Sequence, residues 1–253
     1  MSKHPAVVLP LGKIRGNLFS LTGLVLGSMA PDFIYFIHFR PDSGYGHCIQ
    51  GFFLLNLPLC FLLAFLFHYG IKNPLVLHMP KSIGAWIGDA ADRHWDLKSI
   101  KKNIVFVYSA LFGMVTHIAW DSFTHKDAIM VKAIPALSGN LLVFGYSIPI
   151  FKILQHGSTI AGILFILIYL YGKRSPAVNM QRIIPGSKKV FFFLLTVAFS
   201  ALLLFAVLNL KPGLRASINI GVIVITCMDC IFVGLLFSSF VSRLWIHKHT
   251  TDA

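Results

Sequence analysis

The chain has 253 residues, enough for one or two soluble domains, but hydrophobic residues make up 56% of it. Charged residues make up only 12%, against roughly 25% in a typical globular protein, and this excludes an ordinary soluble fold. The net charge of +13 does not indicate a nucleic-acid partner, because the Lys and Arg residues stand in short connectors without interleaved aromatic side chains.

Several apolar segments are long enough to cross a bilayer, whose core of about 30 Å takes ~20 helical residues. Four segments reach that length: residues 51–71, 104–123, 190–210 and 217–241. Residues 18–39, which Pro31 and Asp32 interrupt, and residues 158–172 are marginal, and residues 141–151 are predicted to form a half-helix before the latter. The predicted fold class is therefore all-α, a polytopic helical membrane protein with about six transmembrane or membrane-embedded helices in contact with membrane lipids.

The distribution of basic residues predicts the orientation of these helices. Six spans with a cytoplasmic N-terminus place 16 of the 22 Lys and Arg residues on the inside, in residues 1–17, 72–103, 173–189 and 242–253. By the positive-inside rule, this bias predicts that the N-terminus and the C-terminus are both cytoplasmic.

Polar residues are concentrated in the first two thirds of the chain. Most of the His and Asp residues precede residue 175, and the remainder is mainly apolar helix. We therefore predict a site-bearing helical membrane domain over residues 1–175 and a C-terminal transmembrane helical hairpin over residues 176–253.

The densest group of polar residues lies at the end of a predicted membrane helix. His117, Asp121 and His125 recur at intervals of four residues, so at 3.6 residues per turn they form a stripe on one helix face. Imidazole and carboxylate at this spacing can supply two ligands to one divalent metal. The alternative is a polar helix end hydrogen-bonded to its neighbours at the membrane interface. We favour the metal site, because ionisable groups in an apolar segment are costly without a partner.

Three residues elsewhere in the chain add to this pattern. Asp32 follows Pro31, which breaks an apolar run, and its carboxylate either caps the next helix or serves as a ligand positioned by the break. His47 follows a Gly-rich turn before a membrane segment, and His4 lies near the N-terminus. A single His in a loop is usually solvated, so these residues become informative only together.

The order of these motifs resembles that of a bacterial membrane family, the domain of unknown function 4184. The resemblance extends over residues 1–240 and is carried by motifs in the order of the family. They are His4-Pro5-Ala6, Gly27-Ser28-Met29-Ala30-Pro31-Asp32-Phe33, His47 before Gly51, Leu57-Pro58, His117-Ile118-Ala119-Trp120-Asp121-Ser122-Phe123-Thr124-His125 and Gln155-His156-Gly157-Ser158.

That family is similar to inner-membrane metal-dependent hydrolases and, more distantly, to the fold of zinc-dependent phospholipase C and single-strand nucleases. The resemblance implies one Zn²⁺ or other divalent metal with four ligands: Asp32, His47, His117 and Asp121. It also implies that His4 binds a second ion, which Asp121 is placed to bridge. The soluble enzymes complete a three-metal cluster with a Glu, and this chain has no Glu, so a three-metal cluster is not expected.

The path of residues 18–39 determines whether His4 can join this site. If the segment crosses the membrane, His4 lies inside while His47, His117 and Asp121 lie outside. If residues 18–29 instead form a short buried helix that does not cross, His4 reaches the others and one span is lost. The length of the segment suits both paths.

Two functions follow from these residues. The first is a metal-dependent hydrolase that cleaves a phosphodiester or ester in a lipid-linked substrate, with Asp32 or His125 as the catalytic base. The second is a non-catalytic transporter or assembly factor in which the same residues hold a structural metal or relay protons. A catalytic metal keeps a coordination position open, whereas a structural one is closed by protein ligands.

Overall fold

A computed structural model of the full chain describes residues 3–13, 18–40, 44–80, 82–86, 95–172, 174, 184–211, 213–214 and 218–251. These residues fold almost entirely into helices, which confirms the predicted all-α class. The predicted domain boundary at residue 175 lies outside the described residues.

Ten helices and one hairpin can be delimited within the described residues. They are, in chain order, α1 (Lys3–Val8), α2 (Leu21–Gly27), α3 (Phe33–His38), α4 (Ile49–His78), α5 (Ile100–Thr124), α6 (Ile129–Ala133), α7 (Pro135–Ser138), β1 (Asn140–Val143), β2 (Tyr146–Pro149), α8 (Ile150–Gly172), α9 (Gly186–Leu210) and α10 (Ile220–Thr251). Three 3-10 turns accompany the N-terminal helices: Leu9–Lys13, Ala30–Asp32 and Tyr45–His47.

Five segments of the described chain are helical, long and apolar enough to cross a membrane. They are Ile49–His78, Ile100–Ala133, Ile150–Gly172, Gly186–Leu210 and Ile220–Trp245. A sixth span results if Leu21–Gly27 and Ala30–His38, which meet at an angle of 45°, are counted as one broken helix. The protein is therefore a polytopic, integral membrane protein, as its hydropathy predicts.

The half-helix predicted over residues 141–151 is wrong. β1 and β2 instead pair as an antiparallel hairpin in which Val143 lies opposite Tyr146, and α8 begins directly after β2. The two turn residues, Phe144 at φ 50° and Gly145 at φ +84°, adopt the left-handed conformation that matches the twist of a two-residue hairpin. The conformation of these two turn residues therefore makes the segment a hairpin, although its apolar composition also suits a helix.

The chain forms two compact units. The first unit comprises Met1–Phe33, Gly44–Phe61 and Asp96–Tyr169. The second unit comprises Ile34–Ser43, Leu62–Trp95 and Leu170–Ala253.

In the first unit, α2 packs against α5 at very short range. A Cβ atom added at Gly113 would lie 2.6 Å from the carbonyl oxygen of Leu24. A Cβ atom at Gly27 would overlap the carbonyl oxygen and the Cα atom of Ala110. Only glycine permits this approach, which brings the end of α2 and the following 3-10 turn against the second half of α5.

In the second unit, α9 and α10 form an antiparallel pair held by hydroxyl groups. The hydroxyl of Ser200 donates to the carbonyl of Cys230 at 3.0 Å, and the hydroxyl of Thr196 donates to Ser238 at 3.0 Å. Gly234 allows the close approach, because a Cβ atom there would lie 2.9 Å from the carbonyl oxygen of Thr196. Small and hydroxylated residues commonly pack membrane helices in this way.

Candidate metal centre

Four side chains from three elements of the first unit converge on one point. Asp32 ends the turn Ala30–Asp32, His47 ends the turn Tyr45–His47, and the other two belong to α5. We call Asp32, His47, His117 and Asp121 the ligand cluster. One ligand atom of each lies within 4.8 Å of the other three. Ligands at ~2.0–2.2 Å from one Zn²⁺ are at most about 4 Å apart, so small side-chain shifts would suffice to close this cluster on one ion.

His117 is completely buried, and its hydrogen bond determines which nitrogen carries the proton. Its Nδ1 lies 2.8 Å from the carbonyl oxygen of Ser28. Because a carbonyl only accepts, Nδ1 donates, and the neutral imidazole then has a lone pair on Nε2. A hydrogen bond of this kind from the second ring nitrogen is typical of metal-binding histidines.

The Nε2 atom of His117 faces two carboxylates. It lies 3.1 Å from Oδ2 of Asp121 and 3.6 Å from Oδ1 of Asp32, without the geometry of a hydrogen bond to either. A lone pair and two carboxylates repel one another unless a cation or a proton lies between them. The residues present therefore fit a divalent metal ion.

His4 lies beside this cluster. Its ring stacks on that of His117 with centroids 3.9 Å apart, and its Nε2 lies 3.4 Å from Oδ1 of Asp121. The side chain is buried, with 4% of the residue exposed. Of the two paths considered for residues 18–39, the structure agrees with the one that brings His4 to the other ligands. α2 is only seven residues long, and the chain bends after it at Pro31.

His47 completes the cluster from the other side. Its Nε2 lies 3.8 Å from Oδ1 of Asp32. Burial lowers the pKa of His47 below its usual value, and the carboxylate of Asp32 opposes this shift only in part. A lowered pKa keeps the imidazole neutral near pH 7, and the neutral form is the one that binds metals. The buried amide of Asn56 donates to the carbonyl of Gly46 at 2.7 Å and so holds the turn that carries His47.

His125 occupies a different position from that predicted. α5 ends at Thr124, so His125 adopts extended backbone just beyond the helix that carries His117 and Asp121. Its side chain is 47% exposed, and its Nδ1 lies 3.5 Å from Oδ1 of Asp121. The amide nitrogen of Gln155 lies 3.3 Å from its Nε2. His125 is thus at the solvent-exposed rim of the ligand cluster, while Asp32, the other predicted base, is within the cluster.

Two supporting groups were missed by sequence reasoning. The carbonyl of Ser28 acts through the backbone and leaves no signal in the sequence. Asn56 does leave a signal in the sequence. It is an uncharged polar residue inside a long apolar segment, at the end of the run Phe52–Asn56.

A helical membrane fold and a buried cluster of His and Asp side chains together define a polytopic membrane protein with a candidate metal centre. The family model for the domain of unknown function DUF4184 matches residues 2–240. The chain therefore belongs to the DUF4184 family, as the order of its motifs predicts. No curated protein and no solved structure was found to match it.

Proposed function

We propose that this protein is a metal-dependent hydrolase of the bacterial inner membrane, which cleaves a phosphodiester or ester in a lipid-linked substrate. The observation that carries the proposal is the convergence of four ligand atoms within 4.8 Å, two of them from carboxylates beside a buried imidazole nitrogen. In this proposal Asp32, His47, His117 and Asp121 hold Zn²⁺ or another divalent metal. His4, whose Nε2 lies 3.4 Å from Oδ1 of Asp121, would hold a second ion.

The chemistry of the ligand cluster supports a catalytic ion. Imidazole and carboxylate ligands suit Zn²⁺ and related divalent metals. Such an ion polarises a phosphoryl or carbonyl oxygen and lowers the pKa of water toward neutrality. The protein contributes orientation: the carbonyl of Ser28 fixes the ring of His117, and the stacked ring of His4 covers one of its faces.

We assign proton transfer to His125 rather than to Asp32. Asp32 is only 6% exposed and is committed to the ligand cluster, whereas His125 is half exposed at its rim. Asp121 lies near Nδ1 of His125, and the amide of Gln155 lies near Nε2. These contacts hold the half-exposed ring at the rim of the cluster, and an imidazole there is suited to exchange a proton with water or a leaving group.

An exposed apolar hairpin supports a lipid-linked substrate. At the turn between β1 and β2, Leu142, Phe144 and Tyr146 are 81%, 98% and 74% exposed. The hairpin connects the elements after α5 to α8, so the chain leads from His125 through the hairpin to Gln155. Exposed aromatic and aliphatic side chains at this position are suited to contact with lipid.

Replacing His125 with Ala is expected to lower the hydrolysis rate by about 10²-fold or more, the usual contribution of a general acid or base, without loss of bound metal. The measurement is turnover of a nitrophenyl phosphodiester, a nitrophenyl ester and a phospholipid by the zinc- or manganese-loaded protein in detergent. His156→Ala is the matched control, because His156 is an exposed histidine of α8. If the metal-loaded wild type hydrolyses none of the three substrates, the hydrolase proposal fails.

A second candidate function is a non-catalytic membrane protein, either a transporter or an assembly factor. Four ligand atoms from four side chains are enough to close a tetrahedral zinc site and leave no position for a substrate. In that case the protein would bind its metal but would not hydrolyse any of the substrates. His125→Ala would leave the metal content unchanged.

We also propose that the C-terminus is cytoplasmic and that the ligand cluster opens toward the opposite side. The rings of His4 and His47 lie 3.9 Å and 5.6 Å from that of His117, so the chain between them makes no net crossing. Five spans then follow, and the N-terminus lies across the membrane from the C-terminus. The alternative is the cytoplasmic N-terminus predicted from the basic residues, which requires Leu21–Gly27 and Ala30–His38 to form a sixth span.

Alkaline phosphatase, which is active only outside the cytoplasm, is expected to be active when fused to the N-terminus and inactive when fused to the C-terminus. The C-terminal fusion should be inactive because basic residues beside the last two spans favour a cytoplasmic C-terminus. Inactivity of both fusions, with both products present at the expected length, would restore the six-span topology.

A further inference from the structure

A pocket of about 200 Å³ lies in the second unit, where three membrane spans begin or end. The span Ile49–His78 ends at this pocket, Lys188 stands near the start of α9, and the span Ile220–Trp245 ends with Trp245. A Lys and a Trp at the ends of spans are typical of the level of lipid headgroups. The pocket is therefore at a membrane surface rather than in the hydrocarbon core.

One wall of the pocket offers a cation and an unsatisfied hydroxyl. The Nζ atom of Lys188 lies 3.0 Å from the centroid of the Trp245 ring. Ser242 is only 9% exposed, and its buried Oγ has no hydrogen-bond partner in the described part of the chain. A buried hydroxyl without a partner is unfavourable unless a ligand or water bonds to it. The hydroxyl of Ser242 therefore indicates a bound ligand independently of the cation of Lys188.

The rest of the pocket is mostly apolar. Phe191, Leu195 and Val241 supply aliphatic and aromatic surface. The ring of His78 stacks on Phe192 with centroids 4.4 Å apart, and its Nδ1 donates to the carbonyl of Pro74 at 2.7 Å. The lining thus combines a polar end with an apolar groove.

The described residues offer little acidic charge to balance the cations around the pocket. Two further cations lie in the helices that line the pocket, Lys189 in α9 and Arg243 in α10. Lys189 donates a hydrogen bond to the carbonyl of Met79, and Arg243 donates to carbonyls of α4. The described residues of this unit include one carboxylate, Asp229. It precedes Trp245 by four and a half turns of α10, or about 24 Å along the helix. The region therefore attracts anions.

We propose that this pocket binds an anionic membrane phospholipid, with the phosphate against Lys188 and Ser242 and an acyl chain along Phe191, Leu195 and Val241. The cation and the free hydroxyl match a phosphate oxygen, and the groove matches an acyl chain. A free phosphate ion would use only the polar end. Basic pockets between membrane helices on the cytoplasmic side are a known location for acidic lipid headgroups. The site is independent of the ligand cluster and of the proposed hydrolysis.

Native mass spectrometry of the full chain in detergent, titrated with phosphatidylglycerol or phosphatidylcholine, tests this proposal. The first phosphatidylglycerol is expected to bind more tightly than phosphatidylcholine, and Lys188→Gln should weaken it by about fivefold, as removal of one surface cation implies. Lys211→Gln is the matched control, because Lys211 follows the opposite end of α9 and also lies over an aromatic ring, that of Phe39 at 4.2 Å. Glycerophosphate should not compete, since it lacks the acyl chains.

A second variant separates lipid binding from a structural role. Ser242→Ala removes the unsatisfied hydroxyl, so the lipid-free protein should keep or raise its melting temperature while losing affinity for phosphatidylglycerol. Equal affinity for the two lipids, or equal weakening by Lys188→Gln and Lys211→Gln, would overturn the proposal. Competition by glycerophosphate would show that the pocket takes free phosphate instead and would also overturn it.

Discussion

Replacing Asp121 with Asn is expected to reduce the divalent metal bound by the purified protein from at least one ion per chain to background. The carboxylate of Asp121 lies 3.1 Å from Nε2 of His117 and 3.4 Å from Nε2 of His4, so it is at the centre of the candidate site. An amide keeps the shape of the side chain but removes the negative charge that attracts the cation. His117→Ala should have the same effect. The measurement is metal content by inductively coupled plasma mass spectrometry after loading with zinc or manganese and removal of the excess.

Asp127→Asn is the matched control for this experiment. Asp127 is exposed and follows the same helix by a few residues, and its φ of 64° is one that Asn tolerates as well as Asp. It should bind as much metal as the wild type. Full metal content in Asp121→Asn, or none in the reconstituted wild type, would remove the metal centre and leave hydrogen bonding or proton relay as the role of these residues.

Replacing Gly27 with Ala is expected to destabilise the protein by about 1–3 kcal/mol and to weaken its metal affinity by roughly 10–100-fold. The added Cβ would lie 2.6 Å from the Cα atom of Ala110, a backbone atom that cannot rotate away. α2 would have to separate from α5. That movement would shift Ser28, whose carbonyl holds His117, and with it Asp32. Thermal unfolding in detergent and zinc titration measure the two effects.

Gly157→Ala provides the comparison. A Cβ atom there would meet nothing within 4 Å, and Ala is favoured over Gly in a helix by about 1 kcal/mol, so this variant should be as stable as the wild type or more so. Its metal affinity should not change. Unaltered stability and metal affinity in Gly27→Ala would contradict the role assigned to the α2–α5 contact.

The membrane helices could be predicted because the signal for them is local. An apolar run of sufficient length must form a helix in lipid, since every backbone polar group has to be satisfied within the segment. The prediction was wrong for residues 141–151, where a turn with two left-handed residues produces a hairpin. Composition alone cannot distinguish an exposed apolar hairpin from the start of an apolar helix.

The candidate site was predictable only in part. His117 and Asp121 share a helix face because four residues make nearly one turn, and this follows from spacing alone. His125 contacts Asp121 as this spacing predicts, but it stands outside the helix, because α5 ends one residue before it. No Gly or Pro marks the end of α5, so where the helix ends depends on tertiary contacts. The sequence therefore predicted that the helix continues through His125.

The sequence by itself determined that this protein is a helical membrane protein in which most His and Asp residues precede the last two spans, and it identified which ionisable residues stand out. Only the tertiary structure decided that His4 joins His117 and Asp121 and that the carbonyl of Ser28 orients the ring of His117. The physical reason is that hydropathy and helical spacing act over one to a few turns. Contacts between residues 4, 32, 47 and 121 instead depend on how closely α2 can approach α5, which Gly27 and Gly113 permit.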